Sequence, residues 1–392
     1  MIKDLARLRA DTPGVAHRVH LNNAGAGLMP RQVLNAVTGY LTREAEIGGY
    51  ETAAECAPRL DVVYDSVARL LGAARDEIAL TENATVAWQM AFYSFAFKPG
   101  DRILTARAEY AANYVALLQV ARRTGAVIDI IPDDANGVLD PEALRAMVDE
   151  RVRLIAVTWV PTNGGLVNPA AAVGAIARAH HIPYLLDACQ AVGQMPVDVG
   201  ALGCDFLSAT GRKFLRGPRG TGFLYVRRSR LQQVEPPMID HFGAPWVAAN
   251  RYELRTDARR FETWENNYAV RLGLGVAIDY ALEIGIEAIA HRCRELSQRL
   301  RNGLRAIGGV TVHDLGHDPA AIVTFSVAGD DADAVKTDLS RVGINVSTSA
   351  PNSTLLDAMA RHLPTIVRAS PHYYNTLEEV DMLVEAIARR SK

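Results

Sequence analysis

Between residues 60 and 270, short apolar segments alternate with longer segments of helical periodicity. Arg153–Val160 (RLIAVTWV) and Pro183–Leu186 (PYLL) are almost continuously apolar, which is the pattern of strands buried on both faces. Strands that are separated by helices pair in parallel, because each helix returns the chain to the same end of the sheet. We therefore predict an α/β fold with a mostly parallel sheet and helices on both of its faces.

Further strands and helices are predicted along the same stretch. The strands are Asp76–Thr81, Arg102–Thr105, Val127–Ile131 and Cys204–Ala209. The helices are Ala84–Phe97, Asn113–Thr124 and a third that opens with Asp140 as N-cap and Pro141 at its first position.

Beyond about residue 270 the pattern changes to a long helical stretch and then to short strands at Val310–Val312 and Ala321–Val327. A capping box, Thr376 with Glu379, opens the last predicted helix. We predict an N-terminal segment over 1–15, a large domain over 16–270 and a smaller α+β domain over 271–392.

The charge balance restricts the partners. Lys plus Arg (42) nearly equals Asp plus Glu (44), so the chain has no overall basic field for nucleic acid or anionic lipid. No apolar run approaches the ~20 residues of a membrane helix, and the charged N-terminus does not resemble a signal peptide. We expect no nucleic-acid partner and no membrane partner.

Four scattered cysteines, none in a CxxC pair, argue against a zinc site and a disulfide framework. We expect no metal, and a cytoplasmic location.

Polar residues follow several of the predicted strands, at the edge where parallel sheets bind ligands. Thr81–Thr85 opens a helix whose backbone N–H groups can hold an anion, Asp187 ends the PYLL strand, and Lys213 follows the strand after it. Taken singly, Thr81–Thr85 reads as an ordinary helix cap and Asp187 as a turn residue. Together they provide an anion cradle, a carboxylate and an amine, which are the three groups that pyridoxal phosphate requires.

Residues 185–226 (LLDACQAVGQMPVDVGALGCDFLSATGRKFLRGPRGTGFLYV) resemble the signature of the class V aminotransferases, which include the cysteine desulfurases. A weaker resemblance extends from HLNNAGAGLMP (20–30) to VRASPHYYNTLEEVD (367–381). The resemblance implies a pyridoxal-phosphate enzyme of fold type I that acts on a small amino-acid substrate.

The resemblance also implies roles for individual residues. Lys213 would form the Schiff base with the cofactor, Asp187 would bind its pyridine nitrogen, and Gln190 its phenolic oxygen. The phosphate would be held by Ala84 through its backbone and by Thr85, Thr210 and Arg212. Thr162 or its neighbour Asn163 would lie near the ring.

Arg368 matches the arginine that binds the substrate α-carboxylate, a task suited to a planar guanidinium, and Asn23 would also contact the substrate. The family implies a homodimer in which the partner subunit touches the phosphate. Trp264, Asn266 and Asn267 are the candidates for that contact.

Two departures from the desulfurase pattern stand out. Ala111 follows Glu109-Tyr110 where desulfurases have an aromatic histidine, so the residue that stacks on the ring is open. The segment Asn345–Arg368 contains no cysteine, whereas in desulfurases of this family a loop there carries the cysteine that accepts sulfur.

From the second departure we predict that the chain is not a persulfide-forming desulfurase. HLNNAG, REAEIGGYETAAE and RKFLRGPRGTG are similar to the hercynylcysteine sulfoxide lyases, which favours a C–S lyase that acts on a cysteine conjugate by β-elimination. The alternatives are a class V aminotransferase, an isopenicillin-N-epimerase-like racemase, or a non-catalytic protein that keeps the fold for binding.

Overall fold

A computed structural model of the chain describes residues 2–390. Its strands are, in chain order, β1 (Val19–His20), β2 (Ile78–Thr81), β3 (Arg102–Ala106), β4 (Val127–Ile131), β5 (Val152–Thr158), β6 (Tyr184–Asp187), β7 (Phe206–Thr210), β8 (Gly222–Val226), β9 (Trp246–Ala248), β10 (Arg251–Tyr252), β11 (Val310–Val312), β12 (Val323–Val327), β13 (Ile344–Asn345), β14 (Ser347–Ser349) and β15 (Ile366–Ala369). Its α-helices are α1 (Leu5–Ala10), α2 (Arg31–Ile47), α3 (Gly49–Leu71), α4 (Ala84–Phe92), α5 (Ala111–Thr124), α6 (Pro141–Met147), α7 (Ala170–Ala179), α8 (Val199–Leu202), α9 (Arg228–Leu231), α10 (Tyr268–Ile284), α11 (Ile286–Arg305), α12 (Ala332–Arg341), α13 (Leu355–Ala360) and α14 (Leu377–Arg390).

The central sheet has seven strands in the order β2-β8-β7-β6-β5-β3-β4. Strands β3 to β7 pair in parallel. Strand β8 is antiparallel to both of its neighbours, β2 and β7. The prediction of an α/β fold with a mostly parallel sheet is confirmed.

Helices cover both faces of this sheet. On β6, Tyr184 and Leu186 face a core shared with α3, α7 and α10, whereas Leu185 between them faces a core shared with α4 and α5. Alternate residues of a strand point to opposite faces of the sheet. The residues on each side of β6 are apolar because both faces of the sheet are buried. This explains the near-continuous apolar runs in the sequence.

Strand β8 was not predicted. It begins at Gly222, directly after the glycine-rich segment Gly217–Thr221 (GPRGT), and inserts between β2 and β7. A Cβ atom at Gly222 would lie 2.6 Å from the carbonyl carbon of Asn83 and 2.9 Å from the amide nitrogen of Ala84. Only glycine therefore lets β8 approach the N-terminus of α4 so closely.

The C-terminal part forms a second, antiparallel sheet in the order β11-β12-β15-β14. Helices α11, α12 and α14 pack on it through a core of their own. The capping box is present, since the Glu379 amide donates to Thr376 Oγ1 at 3.1 Å and the Thr376 amide donates to Glu379 Oε2 at 3.2 Å.

The domain bounds remain predictions. The boundary after residue 270 falls inside α10, which packs against α2 and α3. Near the N-terminus, β1 pairs in parallel with β13 of the C-terminal part.

Over residues 2–390, no helix is both long and apolar enough to cross a membrane.

Replacing Gly222 by alanine should destabilise the protein. The new methyl group would collide with backbone atoms of α4 and β7, which cannot rotate away, and overpacking of this kind costs about 1–3 kcal/mol. The midpoint of urea unfolding should therefore fall. Gly39→Ala in α2, where a Cβ meets nothing within 4 Å, is the matched control and should leave the midpoint unchanged or raise it slightly. Equal midpoints for the two variants would contradict the packing argument.

Candidate active site

The carboxyl ends of β5, β6 and β7 bring polar side chains to one edge of the central sheet. In the register of these strands Thr158 lies opposite Asp187, and Asp187 lies opposite Ser208. Thr210 ends β7, so Lys213 follows just beyond the same edge. Neighbouring parallel strands thus place a carboxylate beside an amine that is 26 residues away in the chain.

Lys213 lies in surroundings that favour its neutral amine. Burial lowers the pKa of Lys213 below its ordinary value of 10.5; Cys189 and Asp187 act in the opposite direction, and Arg212 and Arg368 lower it further. A neutral amine is the nucleophilic form, which the attack on an aldehyde requires.

Asp187 is held in one orientation. Its Oδ1 accepts a hydrogen bond from the Cys189 amide at 2.9 Å, and its Oδ2 accepts one from Asn113 Nδ2 at 2.9 Å. Each carboxylate oxygen has a second acceptor position, so the buried Asp187 can still receive a proton donor from a ligand.

Gln190 has an unused acceptor. Its Nε2 donates to the Ala24 carbonyl at 3.2 Å, whereas its Oε1 is buried and has no hydrogen-bond partner. A buried polar atom without a partner costs free energy, and a hydroxyl group bound in the cleft would remove that cost. The phenolic oxygen of pyridoxal phosphate fits this position.

The N-terminus of α4 faces the same edge. Asn83 is its N-cap, with Oδ1 accepting from the Val86 amide at 3.0 Å, and Ala84 and Thr85 are the first helical residues. The first amides of a helix have no partner within the helix, so they can bind an anionic group.

The other predicted phosphate residues make contacts within the protein. Thr210 Oγ1 donates to the Thr221 carbonyl at 3.1 Å, and Arg212 donates through Nη1 to the Gly25 carbonyl. Their phosphate contacts remain predictions.

Arg368 comes from the second sheet, on β15. Its Nη1 donates to Thr162 Oγ1, and its Nε is buried without a hydrogen-bond partner. Burial, together with the like charge of Arg212, lowers the pKa of Arg368 to about 10, so it stays a cation at neutral pH. Within residues 2–390 it forms no ion pair with a carboxylate, which suits it to an anionic ligand.

The segment Asn22–Leu28 lies against the lysine. The Gly27 amide donates to the Arg212 carbonyl at 2.8 Å, and a Cβ atom at Gly27 would lie 2.7 Å from the Lys213 carbonyl oxygen. Asn23 itself is fully buried: its Nδ2 donates to the Ser370 carbonyl at 2.8 Å and its Oδ1 accepts from Tyr374 at 2.5 Å. Its contact with substrate remains a prediction.

The two residues that compete for the position near the ring point in different directions. Thr162 contacts Arg368 in the cleft, whereas Asn163 Oδ1 accepts a hydrogen bond from Ser349. At the position where desulfurases carry the stacking histidine, Ala111 begins α5, and the preceding Tyr110 lies close enough to raise the pKa of both Arg212 and Arg368. Tyr110 therefore lies near both arginines, and its stacking on the ring remains a prediction.

Trp264, Asn266 and Asn267 lie elsewhere on the surface. Asn266 and Asn267 line a cleft with Leu41 and Tyr50 of α2 and α3, and Trp264 and Asn266 line an adjoining one. Neither cleft contains Lys213 or Asp187.

Three residues that contact Asp187 or its partners were missed in the sequence: Glu109, Asn113 and Thr158. Asn113 follows Glu109 by four residues, and the two side chains are hydrogen-bonded at 2.9 Å. The spacing is visible in the sequence, but its link to Asp187 depends on the pairing of strands that are distant in the chain.

Comparison with known proteins gives a consistent result. The sequence model of the class V aminotransferase family matches residues 19–383. A probable cysteine desulfurase of Methanothermobacter thermautotrophicus is 31% identical over 97% of this chain and 96% of its own length. One of Xylella fastidiosa is 33% identical over 99% of this chain and 96% of its own length. The solved apo structure of a cysteine desulfurase from Thermococcus onnurineus superposes with a TM-score of 0.91 at 27% identity, covering 100% of this chain and 98% of that one.

These relatives correct one prediction. The expectation of a β-eliminating lyase that is not a persulfide-forming desulfurase is wrong, since proteins similar over almost the whole chain are named cysteine desulfurases. The expectation rested on one segment without a cysteine, whereas the similarity extends along nearly the entire fold. Segment 345–368 folds as the end of β13, β14, a short 3-10 turn, α13 and most of β15.

Replacing Arg368 by methionine should raise the pKa of Lys213, because a nearby positive charge that favours the neutral amine is lost. The rate at which the apo-protein takes up pyridoxal phosphate, measured against pH by absorbance, should then have its midpoint at higher pH than in the wild type. Arg294→Met, at an exposed ion pair with Asp318, is the control and should keep the wild-type midpoint. A midpoint for the Arg368 variant that is unchanged or lower would show that the guanidinium does not act on the lysine.

Proposed function

Because the chain belongs to the class V aminotransferases, a family of enzymes that depend on pyridoxal phosphate, we propose that it is a cysteine desulfurase. It would convert L-cysteine to alanine and pass the sulfur to a thiol as a persulfide. Its α/β architecture is fold type I of the pyridoxal-phosphate enzymes.

One observation carries the proposal. Lys213, Asp187 and Arg368 meet at one sheet edge in a chain that is about a third identical, along its whole length, to proteins named cysteine desulfurases. Lysine and aspartate suit the cofactor, and an arginine without a carboxylate partner suits the carboxylate of an amino acid.

The cofactor, when bound, supplies an electron-withdrawing ring that stabilises negative charge on the carbons of the amino acid. Lys213 would hold it covalently and, once displaced by the substrate amine, would move the proton at Cα. Asp187 would keep the ring nitrogen protonated, and Gln190 would accept a hydrogen bond from the phenolic hydroxyl group through its free Oε1. Ala84, Thr85, Thr210 and Arg212 would hold the phosphate.

Arg368 would orient the substrate by its α-carboxylate, with Thr162 holding the guanidinium in place. In the overall reaction the Cβ–S bond of cysteine breaks, a proton is added to Cβ, and the sulfur bonds to an acceptor thiol. Cysteine and a thiol thus become alanine and a persulfide without an external oxidant or reductant.

The purified enzyme loaded with pyridoxal phosphate should convert cysteine to alanine, with one sulfane sulfur formed per alanine in the presence of a thiol. Lys213→Ala should abolish both products and the visible absorbance of the lysine-linked cofactor, since the amine that would bind the aldehyde is removed. Lys98→Ala, at an exposed lysine, should leave turnover unchanged. Formation of pyruvate and sulfide in place of alanine and sulfane sulfur would refute desulfuration.

We further propose a cytoplasmic location, which suits the four free thiols of the chain.

We also propose a homodimer formed through α2 and α3. Four large apolar side chains on these helices are exposed to solvent, namely Leu34 and Leu41 of α2 and Tyr50 and Val62 of α3. Leu41 and Tyr50 share their cleft with Asn266 and Asn267, the residues predicted from the family to lie at the partner subunit. An exposed apolar face of this kind marks a protein interface.

Leu41→Asp should shift the protein towards its 42.6 kDa monomer, because a charge would have to be buried in the interface. Sedimentation equilibrium over a concentration series measures the shift. Leu118→Asp is the matched control, since Leu118 on α5 is 51% exposed and Leu41 is 48% exposed. A wild-type monomer at all concentrations, or a Leu41 variant as dimeric as the control, would refute this interface.

A further inference from the structure

A buried carboxylate that no proposed catalytic step uses lies behind Asp187. Glu109 follows β3 and is 3% exposed. It accepts hydrogen bonds from the Thr158 amide at 2.9 Å, from the Tyr110 amide at 2.9 Å and from Thr105 Oγ1 at 3.1 Å. Thr158 Oγ1 also donates to it. Its two oxygens are therefore surrounded by donors, which is how a buried charge is tolerated.

Asn113 connects this carboxylate to Asp187. Its Nδ2 donates to Glu109 Oε1 at 2.9 Å and to Asp187 Oδ2 at 2.9 Å. An ionised carboxylate only accepts hydrogen bonds, so the atom between the two acids must be the amide nitrogen with its two protons. Glu109 thereby forces the Asn113 amide into the one orientation that donates to Asp187.

The contacts of Asp187 are completed by the Cys189 amide on its other oxygen. With one donor on each oxygen, the plane of the carboxylate is fixed, and each oxygen keeps one further acceptor position for a ligand. Glu109 also lies near enough to Asp187 for the two carboxylates to interact. Burial raises the pKa of Glu109 above its usual range, and the hydrogen bonds from Thr158 and Asn113 oppose that rise. The negative charge of Asp187 raises the pKa of Glu109 further.

We propose that Glu109 and Asn113 are positioning residues that aim Asp187 at the ring nitrogen of pyridoxal phosphate and favour the protonated form of that nitrogen. Asn113 supplies the geometry, and Glu109 supplies both the anchor for Asn113 and a second negative charge behind Asp187. The proposal depends on the proposed contact between Asp187 and the ring, and is independent of the substrate and of the fate of its sulfur.

A purely structural role is the competing explanation, because Glu109 also joins the end of β3 to Thr158 on β5. The two explanations differ in their effect on the cofactor. If Glu109 only links β3 to β5, its loss should affect the stability of the protein alone. If it positions Asp187, its loss should also change the protonation of the ring nitrogen and the affinity for the cofactor.

The test uses the full-length protein loaded with pyridoxal phosphate that carries nitrogen-15 in its ring. In Asn113→Ala the ring-nitrogen NMR signal should move towards that of the deprotonated nitrogen. The dissociation constant of the cofactor should rise about tenfold, which is the effect expected when one hydrogen bond to a charged group is lost. Glu109→Gln should produce a shift in the same direction, since its amide cannot accept from every donor around it. Asn113→Ser, which keeps one donor, should restore part of the wild-type signal.

Asn168→Ala is the matched control. Asn168 is 2% exposed against 3% for Asn113, and it donates to the Thr158 carbonyl at 2.8 Å without touching Asp187. It should lose stability and keep the wild-type ring signal. If the Asn113 variants bind the cofactor and show the same ring signal and affinity as the Asn168 variant, the positioning role is overturned. Because neither readout involves cysteine, failure of the proposed desulfurase activity would leave this result interpretable.

Discussion

The chemistry proposed for this protein depends on the parallel alignment of β5, β6 and β7. These strands run in the same direction, with Thr158, Asp187 and Ser208 in register. Their carboxyl ends therefore place polar side chains at one edge of the sheet. Lys213 reaches the same edge after β7. A shift of one residue in β6 would turn Asp187 into the core behind the sheet, because alternate side chains face opposite sides.

The charges around this edge are not balanced within the protein. Lys213, Arg212 and Arg368 converge there with Asp187, and the helix α4 directs its first amides to the same region. Burial of cations without matching anions costs free energy, which an anionic ligand offsets. The Nε of Arg368 and the Oε1 of Gln190 are buried without hydrogen-bond partners, and a ligand with both an anionic group and a hydroxyl group would satisfy them. Pyridoxal phosphate and an amino acid together satisfy that requirement.

Prediction from the sequence succeeded for elements whose capping residues or apolar pattern match their position in the fold. Strand β4 and the start of α6 at Pro141, with Asp140 as its N-cap, were predicted to the residue. Strand β8 was missed because its five residues follow a glycine-rich turn and pair antiparallel between β2 and β7, which are distant from each other in the chain. The prediction about the reaction was wrong because the absence of a cysteine from one loop says less about the reaction than the similarity of nearly the whole chain to proteins named cysteine desulfurases.

By itself, the sequence determined the fold class and the cofactor, since apolar periodicity and the family motif over residues 185–226 are local properties of the chain. The roles of Lys213 and Asp187 are predictions from the same motif. The tertiary structure alone revealed that Asn113 donates to Asp187 and to Glu109, that Thr162 accepts a hydrogen bond from Arg368, and that Tyr110 lies near the two arginines. These contacts join residues on different strands and helices, up to 206 positions apart. These contacts form only with the correct strand order and register. The hydrophobic pattern of the sequence does not determine strand order, because buried strands have the same apolar faces in every order.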